Sequence, residues 1–411
     1  MQDDRVAGLS AGLSAALSAV LGPGTQVHGL RRLSGGASQE TWAFEAASAA
    51  DFSDGRAAER GPSAGLSAGV NDGVTGGVND GVNDGVNGGV PGDANGEVSR
   101  GAHGDPHADA SSPASPRALI LRRAPPGATT RSSGNPGLAV EAQLIRLAGA
   151  AGVPVPRVVL VLQPAHGLGE GFVMHRLPGE TLGRRVASAE RNTLARQCGE
   201  ALARIHALPV ADLPPLRATQ PRAEVAHLRQ WHARHGAARP VFQLALRWLD
   251  ETAPADGVAT LVHGDFRNGN LMVDLAAPGG ALVGVLDWEL AHLGDPMADL
   301  GWLCVQSWRF GQLARPVGGF GTLDALLAGY AGAGGRADRE RIHWWQVLGT
   351  LRWGVMCESM GLAWRSGAEP VMEKAAISRR ASETEIDLLT LLVAPSHGGL
   401  NEAAHVRHPD P

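Results

Sequence analysis

Apolar residues recur at every third or fourth position over residues 189–207, 223–235, 241–252, 297–308, 323–331, 339–360 and 369–392, a spacing that predicts helices. Ahead of them the period changes. Residues 118–123, Ala-Leu-Ile-Leu-Arg-Arg, read as a strand with Ile120 and Arg122 on one face and Leu119, Leu121 and Arg123 on the other. Residues 153–162 read as a strand entered through Pro154 and Pro156, and residues 172–177 as another. Two helices accompany these strands. Residues 6–20 carry Leu9, Leu13 and Leu17 on one stripe, and the segment around Glu141 is apolar at 140, 144, 145 and 147.

Composition interrupts this pattern at one place. From about residue 46 to 116 the chain becomes Gly, Ala, Asp, Asn, Ser and Pro, with a four-residue Gly-Val-Asn-Asp repeat. Such a stretch has too little apolar surface to offset its ordering entropy, so a disordered insertion between two strands is expected. The repeat lacks the register of glycine-rich calcium-binding nonapeptides, which argues against calcium. Elsewhere, 44% hydrophobic residues in 411 suffice for a substantial core. A net charge of -5 without any basic block argues against a nucleic-acid binder. Cys198, Cys304 and Cys357 are too scattered for a disulfide framework or a zinc site. Asp3 and Asp4 stand where a secretory leader carries positive charge, and no apolar run is long enough to span a bilayer. A cytoplasmic protein without membrane association is the expectation.

Candidate chemistry concentrates in Leu261-Val-His-Gly-Asp-Phe-Arg-Asn-Gly-Asn270 and Val285-Leu-Asp-Trp-Glu289. Asp265 lies on a glycine-bearing loop, Asn270 follows it, and Asp287 ends an apolar strand. Moving a phosphate to an alcohol needs a carboxylate to orient the hydroxyl and take its proton, and hard oxygen ligands for magnesium. Asp265 fits the first role; Asn270 and Asp287 fit the second. A zinc site from His263, Asp265 and His292 has the residue types but no compact ligand spacing.

These residues resemble the catalytic region of the aminoglycoside phosphotransferase-like family, distant relatives of protein kinases. The resemblance extends from about residue 30 to 392, the insertion excepted, through Leu33-Ser-Gly-Gly-Ala-Ser38, Gly171-Phe-Val-Met-His-Arg-Leu-Pro-Gly179 and Ala291-His-Leu-Gly-Asp-Pro-Met-Ala-Asp-Leu300. It implies an α+β, bilobal protein-kinase-like fold. Residues 1–177 would form a nucleotide lobe with a small antiparallel sheet and a helix, residues 178–395 a mainly helical lobe, and residues 396–411 a disordered tail. Gly35, Gly36 and Ser38 would cover the nucleotide phosphates, and Met174 would belong to the hinge that meets the purine. The cofactors implied are Mg2+ and ATP, with GTP as the alternative.

One departure stands out. Of the 36 basic residues, Lys374 is the single lysine, so the nucleotide lobe has none. The kinase pattern calls for a cation on the third strand paired to an acid on the next helix. Arg122 takes that place, with Glu141 as partner; the alternative is that Arg122 and Arg123 merely close a strand end. Asp295 and Asp299 stand at the start of a helix, where they can cap backbone N–H groups; by the resemblance Asp299 would brace the catalytic loop, and Glu289, two residues past Asp287, could touch a second metal. Trp344, Trp345, Trp353 and Trp364 at helical spacing read as core before pocket.

The acceptor is left open. Glu289, Asp295 and Glu358 are interspersed with Arg309, Arg315, Arg352 and Arg365, without the acidic cluster that a polycation would need. The wording Leu286-Asp-Trp-Glu-Leu-Ala-His-Leu-Gly-Asp295 is similar to the branch joined to acyl-CoA dehydrogenases, which implies hydroxyacyl thioesters ahead of antibiotics. A nucleotide-binding pseudokinase and a hydrolase with Asp265 activating water are the other readings.

Overall fold

The computed structural model describes residues 2–33, 39–48, 116–125, 135–234 and 238–393. Helix α1 (Gln2–Leu21) leads into a five-stranded antiparallel sheet of β1 (Gln26–Arg32), β2 (Glu40–Ala47), β3 (Arg117–Arg123), β4 (Val158–Val161) and β5 (Gly171–His175), in the order β1-β2-β3-β5-β4. The expected insertion lies between β2 and β3. Ala46 and Ala47, at its proposed start, instead end β2 as buried residues, and positions 49–115 lie outside the described residues. Pro154 and Pro156 have no N–H to give a ladder, so the strand expected over 153–162 begins only at Val158.

Alternation on these strands separates two environments. Leu119 and Leu121 of β3, Trp42 and Phe44 of β2, and Val173 of β5 join Leu9, Leu13 and Leu17 of α1 in one core, so the helix covers that face of the sheet. Burying such side chains contributes about 1.5–3 kcal/mol each. The opposite face turns to the remainder of the molecule. There Ala43, Ile120, Met174 and Val158 form one cross-strand row, and Thr41, Arg122 and Phe172 the next. Helix α2 (Leu138–Ala150) and Phe172 pack into the main core on this side.

The second half is mainly helical: α3 (Gly183–Val186), α4 (Asn192–His206), α5 (Pro221–Ala233), α6 (Pro240–Glu251), α7 (Met297–Leu303), α8 (Leu323–Gly332), α9 (Arg339–Arg365), α10 (Met372–Ser378) and α11 (Arg380–Val393). The helix expected over 297–308 ends early. The Cys304 carbonyl accepts from Arg309 Nη2 at 2.8 Å and Gln346 Nε2 at 3.0 Å, a side-chain closure that replaces the next helical turn. The helix expected over 369–392 is likewise two, α10 and α11.

Two short two-stranded sheets sit among these helices. Strands β6 (Thr260–Val262) and β9 (His292–Gly294) pair, as do β7 (Leu271–Asp274) and β8 (Ala281–Val285). They place the Asp265 loop and the Asp287 turn side by side. Among the described residues no helix is long and apolar enough to cross a membrane.

Candidate active site

The Asp265 loop is shaped by two glycines and a buried acid. Gly264 and Gly269 have φ of 80° and 114°, the region open to glycine, and a Cβ on Gly264 would stand 2.4 Å from the Leu290 carbonyl oxygen. Asp299, fully buried in α7, accepts from His263 N–H at 2.8 Å, Gly264 N–H at 2.9 Å and His206 Nε2 at 3.1 Å. Burial opposes its ionisation, but the His206 hydrogen bond and the nearby imidazoles outweigh this and hold its pKa below the ordinary value. Asp299 therefore does not cap its own helix; it closes the loop onto α4 and α7.

His263 ties this loop to the Asp287 turn. Its Nδ1 accepts the Asp265 N–H at 3.2 Å and its Nε2 lies 3.1 Å from the Leu286 carbonyl, which requires the Nε2–H tautomer. Burial pushes its pKa down, so the ring is neutral and packed on Trp288. With both nitrogens engaged inside the fold, zinc ligation by His263 is unavailable. Among the described residues no three His, Cys, Asp or Glu side chains gather to hold a metal.

Asp265 is held by three donors. Its Oδ1 accepts from Arg267 Nε at 3.1 Å and Trp302 Nε1 at 2.8 Å, and its Oδ2 from Asn270 Nδ2 at 2.6 Å. A carboxylate only accepts, so Asn270 must present its amino group here and turn its oxygen away. The Asn270 carbonyl accepts the Leu286 N–H at 2.9 Å, placing it beside the Asp287 turn. Asp287 itself has φ of 66°, uncommon for a side chain other than glycine, a backbone strain of the kind that gathers at working sites.

Across the cleft, Arg122 comes down from β3 into a group of carboxylates. It lies 3.2 Å from Glu141 of α2, 2.6 Å from Asp287 and 3.1 Å from Glu289, and its Nε donates to Gln39 Oε1. Arg123 points the other way, pairing with Glu40 at 2.8 Å beneath α1. Burial would lower the Arg122 pKa, but the three acids raise it above the ordinary arginine value. Burial pushes the Glu141 carboxyl up to about 8, with Arg122 pulling down and Asp287 and Glu289 pushing further up. Glu141 Oε2 has no hydrogen-bond partner. Asp287 stays below the ordinary value, because Arg122 outweighs its burial.

Of the residues singled out in the sequence, Asp265 and Asn270 meet on one loop, and Arg122, Glu141, Asp287 and Glu289 meet on the facing side. Met174 is half-buried in the apolar row beside Arg122. Gly35, Gly36 and Ser38 lie outside the described residues. Gln39, Arg267, Trp302 and His206 complete the site without having been singled out. Arg267 could have been noticed, since a cation two residues beyond Asp265 on a tight loop has few other acids to meet.

A model of the phosphotransferase enzyme family matches residues 112–345, more than half of the chain. The chain belongs to this family. As a phosphotransferase it is similar to mouse acyl-CoA dehydrogenase family member 10, 29% identical over 205 residues, which are 46% of this chain and 18% of that protein. Human acyl-CoA dehydrogenase family member 11 is 27% identical over 192 residues, 44% of this chain and 24% of that one. The chain thus matches a quarter or less of the length of these relatives. Among solved structures, a candidate aminoglycoside phosphotransferase from Ralstonia eutropha superposes with a TM-score of 0.54 at 16% identity, over 93% of this chain and 97% of that one. Macrolide 2'-phosphotransferase type I gives 0.50 at 18% identity, over 90% and 96%. At such identities the likeness is one of fold, and that fold is kinase-like.

Proposed function

We propose that this phosphotransferase moves the γ-phosphoryl group of ATP, or of GTP, to the hydroxyl of a small molecule, with residues 1–177 holding the nucleotide and residues 178–395 the acceptor. The observation that carries this is the pairing of a fixed carboxylate, Asp265, with a facing cluster of one guanidinium against three carboxylates. With burial holding Glu141 toward its protonated form, Arg122 faces the carboxylates Asp287 and Glu289, one negative charge in excess. A divalent cation suits that excess and the unpartnered Glu141 oxygen. Asp287 and the Asn270 amide oxygen would hold Mg2+, which takes few protein ligands and completes its shell with phosphate and water. When bound, it supplies charge neutralisation on the transferring phosphates.

The remaining roles follow from the chain. Arg122 is poised between Glu141 and Asp287, and a guanidinium fork meets phosphate oxygens as well as carboxylates. The apolar row Ala43, Ile120, Met174 and Val158 offers a flat surface of the kind a purine ring covers. At Asp265, Oδ1 already has two donors and Oδ2 one. The acceptor hydroxyl therefore donates to Oδ2. Its oxygen bonds to the γ-phosphorus as the bond to the β-phosphate oxygen breaks, its proton passes to Asp265, and ADP leaves.

Hydroxyacyl thioesters are the acceptor class we favour over aminoglycosides. The acids that follow Asp287 are engaged: Asp295 with Trp345 at 2.6 Å and with Arg341, Glu358 with Arg239 at 2.6 Å and His232 at 2.8 Å. A polycation would find no group of free carboxylates among them. The test is transfer from labelled ATP with magnesium to hydroxyacyl-CoA esters, aminoglycosides, macrolides and choline, with Asp265→Asn alongside. Labelling of a thioester by wild type alone supports the reading; labelling of an aminoglycoside instead replaces the acceptor class. Magnesium-dependent nucleotide binding without transfer to any of them would favour a pseudokinase.

A further inference from the structure

Behind the Asp265 loop lies a small recess of about 30 Å³, bordered by Gly264, His292, Trp302, Trp345, Glu224 and Arg352. It adjoins the proposed chemistry directly, because Trp302 forms its wall and donates its indole N–H to Asp265 Oδ1.

Its polar groups differ in how far they are satisfied. Asp299 already serves two backbone N–H groups and His206. Glu224 accepts from Arg217 at 2.8 Å and from Thr219; burial would raise its pKa, but Arg352 and Arg217 bring it down to about 2, so it is ionised. His292 lies 2.9 Å from the Leu290 carbonyl through Nδ1, which puts the proton there and leaves Nε2 as an acceptor. Arg352 is the exception. Its guanidinium lies 5.3 Å from the centre of the Trp302 ring and acts on the Glu224 carboxylate electrostatically, without a hydrogen bond to it. Half-buried on α9, it faces the recess with five N–H donors and an aromatic plane behind it.

A stacked guanidinium whose N–H groups are not hydrogen-bonded to the nearby carboxylate is a poor neighbour for an ammonium group and a good one for carboxylate or phosphate. The indoles of Trp302 and Trp345, with Leu348 and Ala298, supply apolar walls around it. We propose that this recess takes the anionic end of the acceptor, with Arg352 as its ion-pair partner and Trp302 linking its occupancy to the orientation of Asp265. The proposal rests on the reading of the protein as an alcohol phosphotransferase, and adds that the alcohol carries an anionic group. Arg352 would thus set specificity, while Trp302 is a positioning residue acting through Asp265.

The test uses the full chain with magnesium-ATP and three acceptors that differ only in charge: γ-hydroxybutyrate, its amide and the corresponding amino alcohol. Wild type should prefer the acid over the amide by about tenfold or more in kcat/KM, the scale of one charge-assisted hydrogen bond. Arg352→Gln should bring that ratio close to one through KM, with nucleotide affinity unchanged. Arg352→Lys, which keeps the charge and loses the fork, should retain part of it. Sulfate should compete with the acid. Preference for the amide or the amino alcohol, or survival of the acid preference in Arg352→Gln, would overturn the proposal. So would stimulation of amide phosphorylation by sulfate, which would make the recess an effector site. If none of the three is phosphorylated, binding of the acid is read by ligand-observed NMR. Loss of binding in Arg352→Gln then supports the anion site while the kinase reading fails by itself, and equal or absent binding overturns both.

Discussion

At the Asp265 end of the site every acid already has its donors, whereas at the Arg122 end three carboxylates compete for one guanidinium. Asp265 is fixed by Arg267, Trp302 and Asn270, and Asp299 by two backbone N–H groups and His206. The facing cluster is unbalanced, with the Glu141 pKa pushed up to about 8 and one of its oxygens unpartnered. The first arrangement is complete in the chain alone. The second holds more carboxylates than Arg122 alone can balance. Preorganisation thus belongs to the end proposed to meet the hydroxyl, and ligand dependence to the end proposed to meet the phosphates.

The sharpest way to break this comparison is at Asp265. Asp265→Asn keeps the shape and removes the proton acceptor, so turnover should fall by about a thousandfold, within the range for a lost general base, with nucleotide affinity little changed. A steady-state assay beside nucleotide titration separates the two; near-normal turnover would remove Asp265 from its role. Asp299→Ala attacks the same end through its support. It strands two buried backbone donors, at about 1–3 kcal/mol each, and should lower the denaturant midpoint accordingly. A midpoint equal to wild type would mean that the loop is held by something other than Asp299.

At the facing end the effect should appear in binding. Asp287→Ala removes the proposed metal carboxylate and should weaken magnesium-dependent nucleotide binding by about a hundredfold, the scale of one lost charge-assisted contact in a dry site. The fold should tolerate it, since the cluster loses one of three crowded acids. Calorimetric titration with and without magnesium is the measurement. Affinity that survives in magnesium would show that the cluster needs no cation at Asp287.

The same contrast explains what could be read in the sequence. Asp265, Asn270 and Asp287 come from two contiguous stretches whose spacing carries their chemistry. Strand alternation puts Arg122 and Arg123 on opposite faces, and the match of Arg122 to the family's lysine position picks it as the inward one. The partners that complete the Asp265 end come from remote elements: Trp302 is 37 residues beyond Asp265, His206 is 93 residues before Asp299. A tryptophan in an apolar helix reads as core until its indole N–H is seen to meet a carboxylate. Arg341, Arg239 and His232 likewise engage acids, Asp295 and Glu358, whose partners lie far from them along the chain. Strand limits failed where prolines removed ladder donors, and helix limits failed at Cys304, whose carbonyl is closed by side chains from elsewhere.

The smallest expected effect is also the most direct probe of the imbalance. Burial and the neighbouring acids raise the Glu141 pKa from 4.5 to about 8, so the fold favours its protonated form. The stability this contributes is fully present below the ordinary carboxyl value and is lost as pH rises through the raised one. Nucleotide-free wild type should therefore lose thermal stability relative to Glu141→Gln between about pH 4.5 and pH 8, the window set by the two values. Magnesium-nucleotide should reduce that difference in slope, because an added cation favours the ionised carboxyl. Melting curves of the two proteins across this window, with and without magnesium-nucleotide, test both statements. Parallel slopes in the absence of ligand would show that Arg122 already balances its three acids, and the contrast between the two ends would disappear.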